Sequence, residues 1–218
     1  MPTFNTYTQQ QAGQALAAIG AAVYTPIAPL RIQTWWSREP LPFAARTQGV
    51  PRSLNVGDTW GDLFDCAWFH FTGAIPEQAA GQPVVLLLDV NGELCVVDEN
   101  GVPRRGLTNV SSGFDYSLGS PGKRVLPITP SARGGEAISV WADAGCNDLF
   151  GELREKGAIK EACIATCNEA LRALYFDCGV SMSRKYPLLV GVVANNLSVK
   201  RWAGSDGLFH EAVEQQAT

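Results

Sequence analysis

The chain has 218 residues, which is enough for one large domain or for a domain with an appendage. Hydrophobic residues make up 46% of it and charged residues only 17%, so the composition excludes a disordered chain and predicts a sizeable core. The net charge is -4 and no run of basic residues is longer than two, as at Arg104-Arg105, which argues against a nucleic-acid partner.

The N-terminal sequence lacks the features of an export signal. Its first basic residue is Arg31, and its apolar stretch at 15–24 is rich in Ala and Gly rather than in Leu. No window approaches 18 consecutive apolar residues, so no membrane partner is expected. We therefore expect a soluble, cytoplasmic protein whose six cysteines stay reduced.

Residues 9–24 are rich in Ala and Gln and predict an N-terminal helix. Ala12, Leu16, Ile19 and Val23 are spaced by four, three and four residues, which places them in one apolar stripe. Prolines follow at positions 26 and 29, where they end the helix. The first predicted unit is therefore a helical segment over residues 1–28.

An extended segment at 30–36 and a proline-rich loop at 37–58 come next. A loop of this length is usually functional or packed on its own side chains, so we expect a binding edge there. Short strands separated by turn residues then follow at 65–72, 84–90, 93–97, 124–128 and 137–142, with a Gly/Ser-rich meander at 111–122. This pattern predicts a mainly β fold, a jelly-roll-like antiparallel β-sandwich over residues 29–157.

The apolar pattern lengthens beyond Gly157. A helical stripe fits Cys163, Cys167, Ala170, Leu171 and Leu174, although residues 158–166 are equally consistent with a last strand that enters the helix. An apolar run at 187–193 and a polar tail follow. We interpret residues 158–218 as a C-terminal strand and helical segment that packs on the sandwich.

The segment at 67–107 has the most specific pattern. It contains an aromatic strand, Ala67-Trp68-Phe69-His70-Phe71, then an Ile75-Pro76-Glu77 turn, the apolar run 84–90, Gly92-Glu93, and a return through Asn100-Gly101-Val102-Pro103. Trp60 precedes this segment, and the passage Asn-Glu-Ala-Leu-Arg-Ala-Leu-Tyr-Phe-Asp follows at 168–177. In this order the pieces resemble the accessory sandwich that precedes the catalytic barrel in class II alpha-mannosidases, glycoside hydrolase family thirty-eight. The resemblance covers about residues 30–183, and Asn100-Gly101 predicts a type I′ hairpin turn.

The resemblance implies that the chemistry belongs elsewhere. In these mannosidases a separate downstream barrel holds zinc through His and Asp, carries an Asp nucleophile and is marked by a His-x-Asp motif. Here His70 continues as Phe-Thr and His210 as Glu-Ala, so neither histidine reproduces the motif. We therefore expect no catalytic residues, metal ligands or cofactor in this chain, because the zinc would be bound by the barrel, and no hydrolase activity from the chain alone.

Other candidates for chemistry have simpler explanations. His70 alternates with large aromatic residues and lacks sequence partners for a base or ligand, so we expect a structural role. Cys163 and Cys167 are four residues apart, but no second pair with zinc-site spacing follows, so core packing is expected. Glu93 and the acids at 98–99 are close enough in the hairpin for a carboxylate pair, but solvated turn acids are the simpler interpretation.

A carbohydrate-binding site is predicted at the tryptophans that flank the long loop. Exposed aromatic faces are the usual platform for a sugar ring, and Trp35, Trp36 and Trp60 border residues 37–58, with Glu93 as a nearby acidic candidate. The competing interpretation is that these side chains wedge the loop onto the sandwich, since large aromatic residues are mostly buried.

The first functional hypothesis is a non-catalytic N-terminal accessory domain of an alpha-mannosidase, acting in assembly or glycan contact. One alternative is a stand-alone carbohydrate-binding module. Another is a structural oligomerisation partner that docks through the apolar run at 187–193. The expected partners are a separate catalytic mannosidase chain, another copy of this chain, or a mannose-containing glycan.

Overall fold

The computed structural model of the chain describes residues 6–108, 122–147 and 156–183. The chain divides into two compact units, one formed by Thr25–Cys167 and the other by Met1–Tyr24 together with Asn168–Thr218. Three sequence features lie outside the described residues, namely most of the predicted meander (111–121), the apolar run at 187–193, and His210.

The unit at 25–167 is built from short antiparallel strands. The strands are β1 (Tyr24–Pro29), β2 (Arg31–Ser37), β3 (Val50–Leu54), β4 (Thr59–Gly61), β5 (Cys66–Ala74), β6 (Val84–Asp89), β7 (Glu93–Val97), β8 (Pro103–Thr108), β9 (Val125–Thr129), β10 (Ala137–Gly145), β11 (Gly157–Ala158) and β12 (Glu161–Cys167). The order β3-β2-β5-β10-β7-β8 forms a six-stranded sheet, β1-β12-β6-β9 a four-stranded sheet, and β4 pairs with β11. The predicted antiparallel sandwich is confirmed.

One hydrophobic core contains residues of both larger sheets. Phe69, Phe71, Leu86 and Ile164 are completely buried, and each such side chain contributes roughly 1.5–3 kcal/mol. The sheets approach closely at Gly73, where a Cβ would lie 3.3 Å from Cδ1 of Ile164. Strand β6 is buried at every position, as its uninterrupted Val/Leu run predicts.

The predicted loop at 37–58 is not structureless, and the sequence interpretation was wrong on this point. It contains a short 3₁₀ helix, Phe43–Ala45, and the strand β3, which pairs with β2 and forms an edge of the six-stranded sheet. Pro51 lies within β3, and proline has no N–H to donate, so it is tolerated on an edge strand. The same proline made the segment read as a loop.

The hairpin between β7 and β8 differs from the predicted type I′ turn. The N–H of Gly101 donates to the carbonyl of Asp98 at 3.0 Å, so the two central residues of the turn are Glu99 and Asn100. Neither of them has a positive φ, whereas Gly101 has φ +80°. A turn followed by one left-handed glycine is the geometry of a three-residue hairpin loop. The sequence therefore marked the correct hairpin but the wrong turn type.

The other unit contains two helices, α1 (Thr6–Val23) and α2 (Glu169–Ser183). They pack closely where a Cβ on Gly20 would lie 2.7 Å from Cε2 of Tyr175. No helix in the described parts of the chain combines the length and the apolar character needed to cross a bilayer.

The last strand ends one residue before α2 begins. Asn168 separates them and caps the helix, because its Oδ1 accepts the N–H of Leu171 at 3.0 Å. Cys163 and Cys167 therefore lie on β12 rather than in a helical stripe, and of the two sequence interpretations the strand is the correct one.

Candidate functional site

The register of the six-stranded sheet defines a core face and an outer face. Successive side chains of β5 alternate, so Phe69 and Phe71 enter the core whereas Cys66, Trp68 and His70 face outwards. Residues that are directly opposite in neighbouring strands share a face. The outer face of the sheet therefore presents successive rows of side chains that come from different parts of the chain.

An aromatic stack lies on this outer face. The ring of Trp141 in β10 is 4.2 Å from the ring of His70 and 5.2 Å from that of Trp35, measured between centroids. The guanidinium of Arg46 lies 4.6 Å from the Trp141 ring. Burial, followed by the charge of Arg46, lowers the pKa of His70, and its Nε2 is 2.9 Å from Oγ of Ser139. The stacking of His70 on Trp141 is consistent with the structural role expected for it, and the lowered pKa favours its neutral form.

The segment at 38–49 folds back over the same face. Phe43 meets Trp68 edge to face with ring centroids 5.6 Å apart, and Nε1 of Trp68 donates to the carbonyl of Leu41 at 2.8 Å. Trp68 is consequently only 4% exposed although it points away from the core. Gly101 lies against Phe43, since a Cβ there would be 2.5 Å from Cγ of that ring. The segment packs on its own side chains, which is one of the two outcomes that its length predicts.

The structure does not bring the four predicted sugar-binding residues together. Trp60 is 1% exposed, its Nε1 donates to the carbonyl of Val90 at 2.7 Å, and its ring meets Phe69 edge to face. Its ring faces are therefore unavailable to a sugar. Trp35 and Trp36 are consecutive in β2, so they project from opposite faces of the sheet.

Glu93 does line a cavity of about 440 Å³ on the outer face. Gly145 at the end of β10 lies opposite Cys66 of β5 and Glu93 of β7. Two residues back along β10, Asp143 faces the same way and lies opposite Trp68 and Cys95. The cavity lining combines acidic, basic, amide, hydroxyl and thiol groups with apolar atoms. It consists of Pro40, Cys66, Glu93, Leu94, Cys95, Gly106, Leu107, Thr108, Lys123, Asp143, Ala144, Gly145 and Asn147.

Two glycines keep the cavity open. Gly145 faces outwards between Cys66 and Glu93, and Gly106 of β8 occupies the same row as Asp143 and Cys95. A Cβ at Gly106 would meet no atom within 4 Å. Neither glycine is among the residues with a positive φ, so the chain conformation alone does not require them. Because both residues lack a side chain, they leave empty volume on the outer face of the sheet.

Burial shifts the pKa values of three groups in this cavity. It raises the pKa of the Asp143 carboxyl and, together with the charge of Asp143, raises the pKa values of the Cys66 and Cys95 thiols. Protonated thiols are poor nucleophiles and poor metal ligands. Among the described residues no group of three or more His, Cys, Asp or Glu side chains is placed to hold a metal ion.

Comparison with known proteins agrees with this architecture. A family model described as the jelly roll domain of alpha-mannosidase matches residues 28–188. The chain belongs to this family. Alpha-mannosidase 2C1 of Homo sapiens is 29% identical over 126 residues, which are 58% of this chain and 11% of that protein. The protein of the same name from Mus musculus is 28% identical over 120 residues, 55% of this chain and 11% of its own length. The match thus spans about one ninth of either relative.

This alpha-mannosidase jelly roll has cavity residues that sequence reasoning missed. Asp143, Lys123, Thr108 and Asn147 were not among the candidates. A signal for Asp143 did exist, because Ser139, Trp141 and Asp143 continue one alternation along β10, which extends beyond the predicted end at 142. The others come from separate elements, and only the folded sheet places them together.

Proposed function

We propose that this chain is the non-catalytic accessory domain of an alpha-mannosidase and that it acts in assembly or glycan contact. The supporting observation is the family match across residues 28–188, which begins at the end of β1 and includes every later strand of the sandwich. In the two relatives the matched segment is a small part of a protein named as an alpha-mannosidase. Catalysis is assigned to the zinc-dependent barrel that the family resemblance implies, outside the sandwich.

An activity assay tests the accessory role. The purified chain is incubated with an aryl alpha-mannoside and zinc, and human alpha-mannosidase 2C1 serves as the positive control in the same buffer. We expect release of the aryl group by the control and none by this chain. Turnover by the chain that a chelator abolishes would overturn the proposal.

The assembly role is supported by an exposed apolar turn between β4 and β5. Leu63 is 44% exposed and Phe64 is 64% exposed. Phe64 also has φ +65°, a conformation that large side chains rarely adopt and that costs roughly 1–2 kcal/mol. A residue that is both strained and exposed stabilises the isolated sandwich little, so a contact with another surface is the simplest role for it.

Hydrogen bonds hold this turn in one conformation. The buried carboxylate of Asp65 accepts the N–H of Asp62 at 2.8 Å, and the N–H of Phe64 donates to the carbonyl of Cys146 at 3.1 Å. The N–H of Cys146 in turn donates to the carbonyl of Asp65 at 2.8 Å. A pre-ordered apolar tip loses little conformational entropy on association, which favours binding.

Sedimentation velocity tests assembly between copies of the chain. We expect concentration-dependent association that Phe64→Ser removes and that Val102→Ser leaves intact, because Val102 is a similarly exposed apolar residue in a different hairpin (48%). A monomer at every concentration, or association that both variants retain, would reject assembly through this turn.

A further inference from the structure

We propose that the outer-face cavity is a subsite for one neutral sugar ring, whose hydroxyl groups donate hydrogen bonds to the carboxylates of Asp143 and Glu93. This inference rests on the glycan contact in the proposed function, and it gives that contact a place and a chemistry. The cavity volume of about 440 Å³ lies within the range of small-molecule sites, about 300–1,000 Å³.

The shape of the cavity comes from absent side chains rather than from a gap between elements. The strands beneath it are fully paired, with Gly145 opposite both Cys66 and Glu93, and Gly106 opposite Cys95. A Cβ at Gly106 would point into open space and meet no atom within 4 Å. The sheet therefore forms a floor, and a flat ring can lie on it.

Asp143 is the polar group that most requires a ligand. It lies in the middle of the outer face, between Trp68 and Cys95, where burial disfavours its ionised form and raises its pKa. It forms no ion pair with any described residue. A partly desolvated carboxylate gains from any O–H donor that replaces the lost water. Sugar hydroxyls are such donors and carry no charge.

The rest of the lining favours a neutral polyhydroxyl ligand over an anion or a metal ion. Asp143 and Glu93 repel phosphate and carboxylate groups, and the protonated thiols do not ligate soft metals. The ammonium of Lys123 is a donor without an acceptor and disfavours a bound cation, while Thr108 and Asn147 each carry both a donor and an acceptor. A sugar hydroxyl uses donors and acceptors together, and Pro40 offers an apolar wall for the C–H face of the ring.

The aromatic residues of the outer face do not offer a better place. Trp141 stacks with both Trp35 and His70, and Arg46 also covers Trp141. Trp68 lies beneath the segment at 38–49. A sugar that approaches the sheet therefore finds its open volume at the Gly145 end, where the carboxylates are.

Calorimetric titration of the full chain with methyl alpha-mannoside tests the subsite. We expect a dissociation constant on the order of 1 mM, because a few hydrogen bonds on a single ring give weak binding. Asp143→Ala removes the acceptor and Gly106→Leu fills the cavity. Each should weaken binding by about tenfold or more, which corresponds to the loss of one hydrogen bond to a charged group.

The matched control is Glu99→Gln, an exposed hairpin acid outside the cavity, which should leave the affinity unchanged. Circular dichroism confirms that each variant is folded. Absence of heat at millimolar sugar, unchanged wild-type affinity in both cavity variants, or binding of an amine such as spermidine but not of the mannoside would each overturn the subsite. None of these results contradicts the accessory role. Chelator-sensitive turnover of the aryl mannoside would contradict the accessory role, but the subsite would still be decided by the titration alone.

Discussion

Replacement of Trp60 by Phe should destabilise the sandwich strongly, although Trp60 was a candidate for sugar binding. The indole is 1% exposed and donates to the carbonyl of Val90 at 2.7 Å. Its surroundings are fitted to it, because a Cβ on Gly157 would lie 2.7 Å from Cε2 and a Cβ on Gly92 would lie 3.3 Å from Cζ2. Phe retains part of the ring contact with Phe69 but has no N–H to donate.

The expected cost is the sum of an unsatisfied carbonyl and a small cavity. A buried acceptor left without its donor costs about 1–3 kcal/mol. Removal of a whole buried Trp or Phe side chain costs about 3–5 kcal/mol, so the smaller change from indole to phenyl accounts for a fraction of that. We therefore expect Trp60→Phe to lower the free energy of unfolding by about 2–4 kcal/mol, or Tm by roughly 5–15 °C.

Urea denaturation followed by far-ultraviolet circular dichroism measures this cost without relying on tryptophan fluorescence. Trp36→Phe is the matched control, because Trp36 is only partly buried and its main ring contact is Arg52 at 5.5 Å. Its cost should be about 0.5–1 kcal/mol. An equal or smaller cost for Trp60→Phe would refute the assignment of Trp60 to the core.

Burial of Trp60 also determines what a binding experiment on a Trp60 variant measures. Trp60→Ala should cost about 3–5 kcal/mol, a large part of the roughly 5–15 kcal/mol that stabilises a typical domain. Loss of sugar binding in that variant would therefore report unfolding rather than a lost contact. Asp143→Ala and Gly106→Leu are better probes because neither removes a core side chain.

Three further substitutions test the backbone and the cavity. Phe64→Asn should raise the free energy of unfolding by about 0.5–1 kcal/mol, since Asn tolerates a positive φ, and Val102→Asn should give no such gain in urea denaturation. Gly101→Ala should cost about 1–3 kcal/mol through its positive φ and the aromatic ring it faces, whereas Gly106→Ala should be neutral in the same assay. Asp143→Asn should raise the free energy of unfolding at pH 7, and this gain should shrink as the pH falls. The reason is that a carboxyl whose pKa is raised on folding lowers stability above its folded-state pKa but not below its pKa in the unfolded chain. Urea midpoints measured at neutral and acidic pH check the direction of this change.

The sequence predicted the fold wherever the signal was local. The uninterrupted apolar run of β6 and the turn-bounded β7 gave strands that the structure confirms at nearly the same residues. The errors arose where tertiary context decides. Pro51 favoured a loop prediction for what is an edge strand. The apolar spacing of β12 fits a helix as well as a strand, and only its pairing with β6 decides between them.

The candidate site was less predictable because its defining feature is register. Cys66, Glu93 and Gly145 are far apart in sequence, and only the pairing of β10 with β5 and β7 makes them neighbours. In a sequence, a glycine inside a strand indicates a weak point of the sheet. Two glycines leave a cavity only where the register places both on the outer face.

The tryptophans were candidates for sugar binding, and there is a physical reason why they are packed instead. Burial and stacking on other rings stabilise a large aromatic side chain more than exposure to solvent does. Trp60 gains from the core, while Trp35 and Trp141 gain from each other and from His70. We therefore place the proposed ligand site at Asp143, which lies beside two glycines on the outer face of the sheet, rather than at any indole.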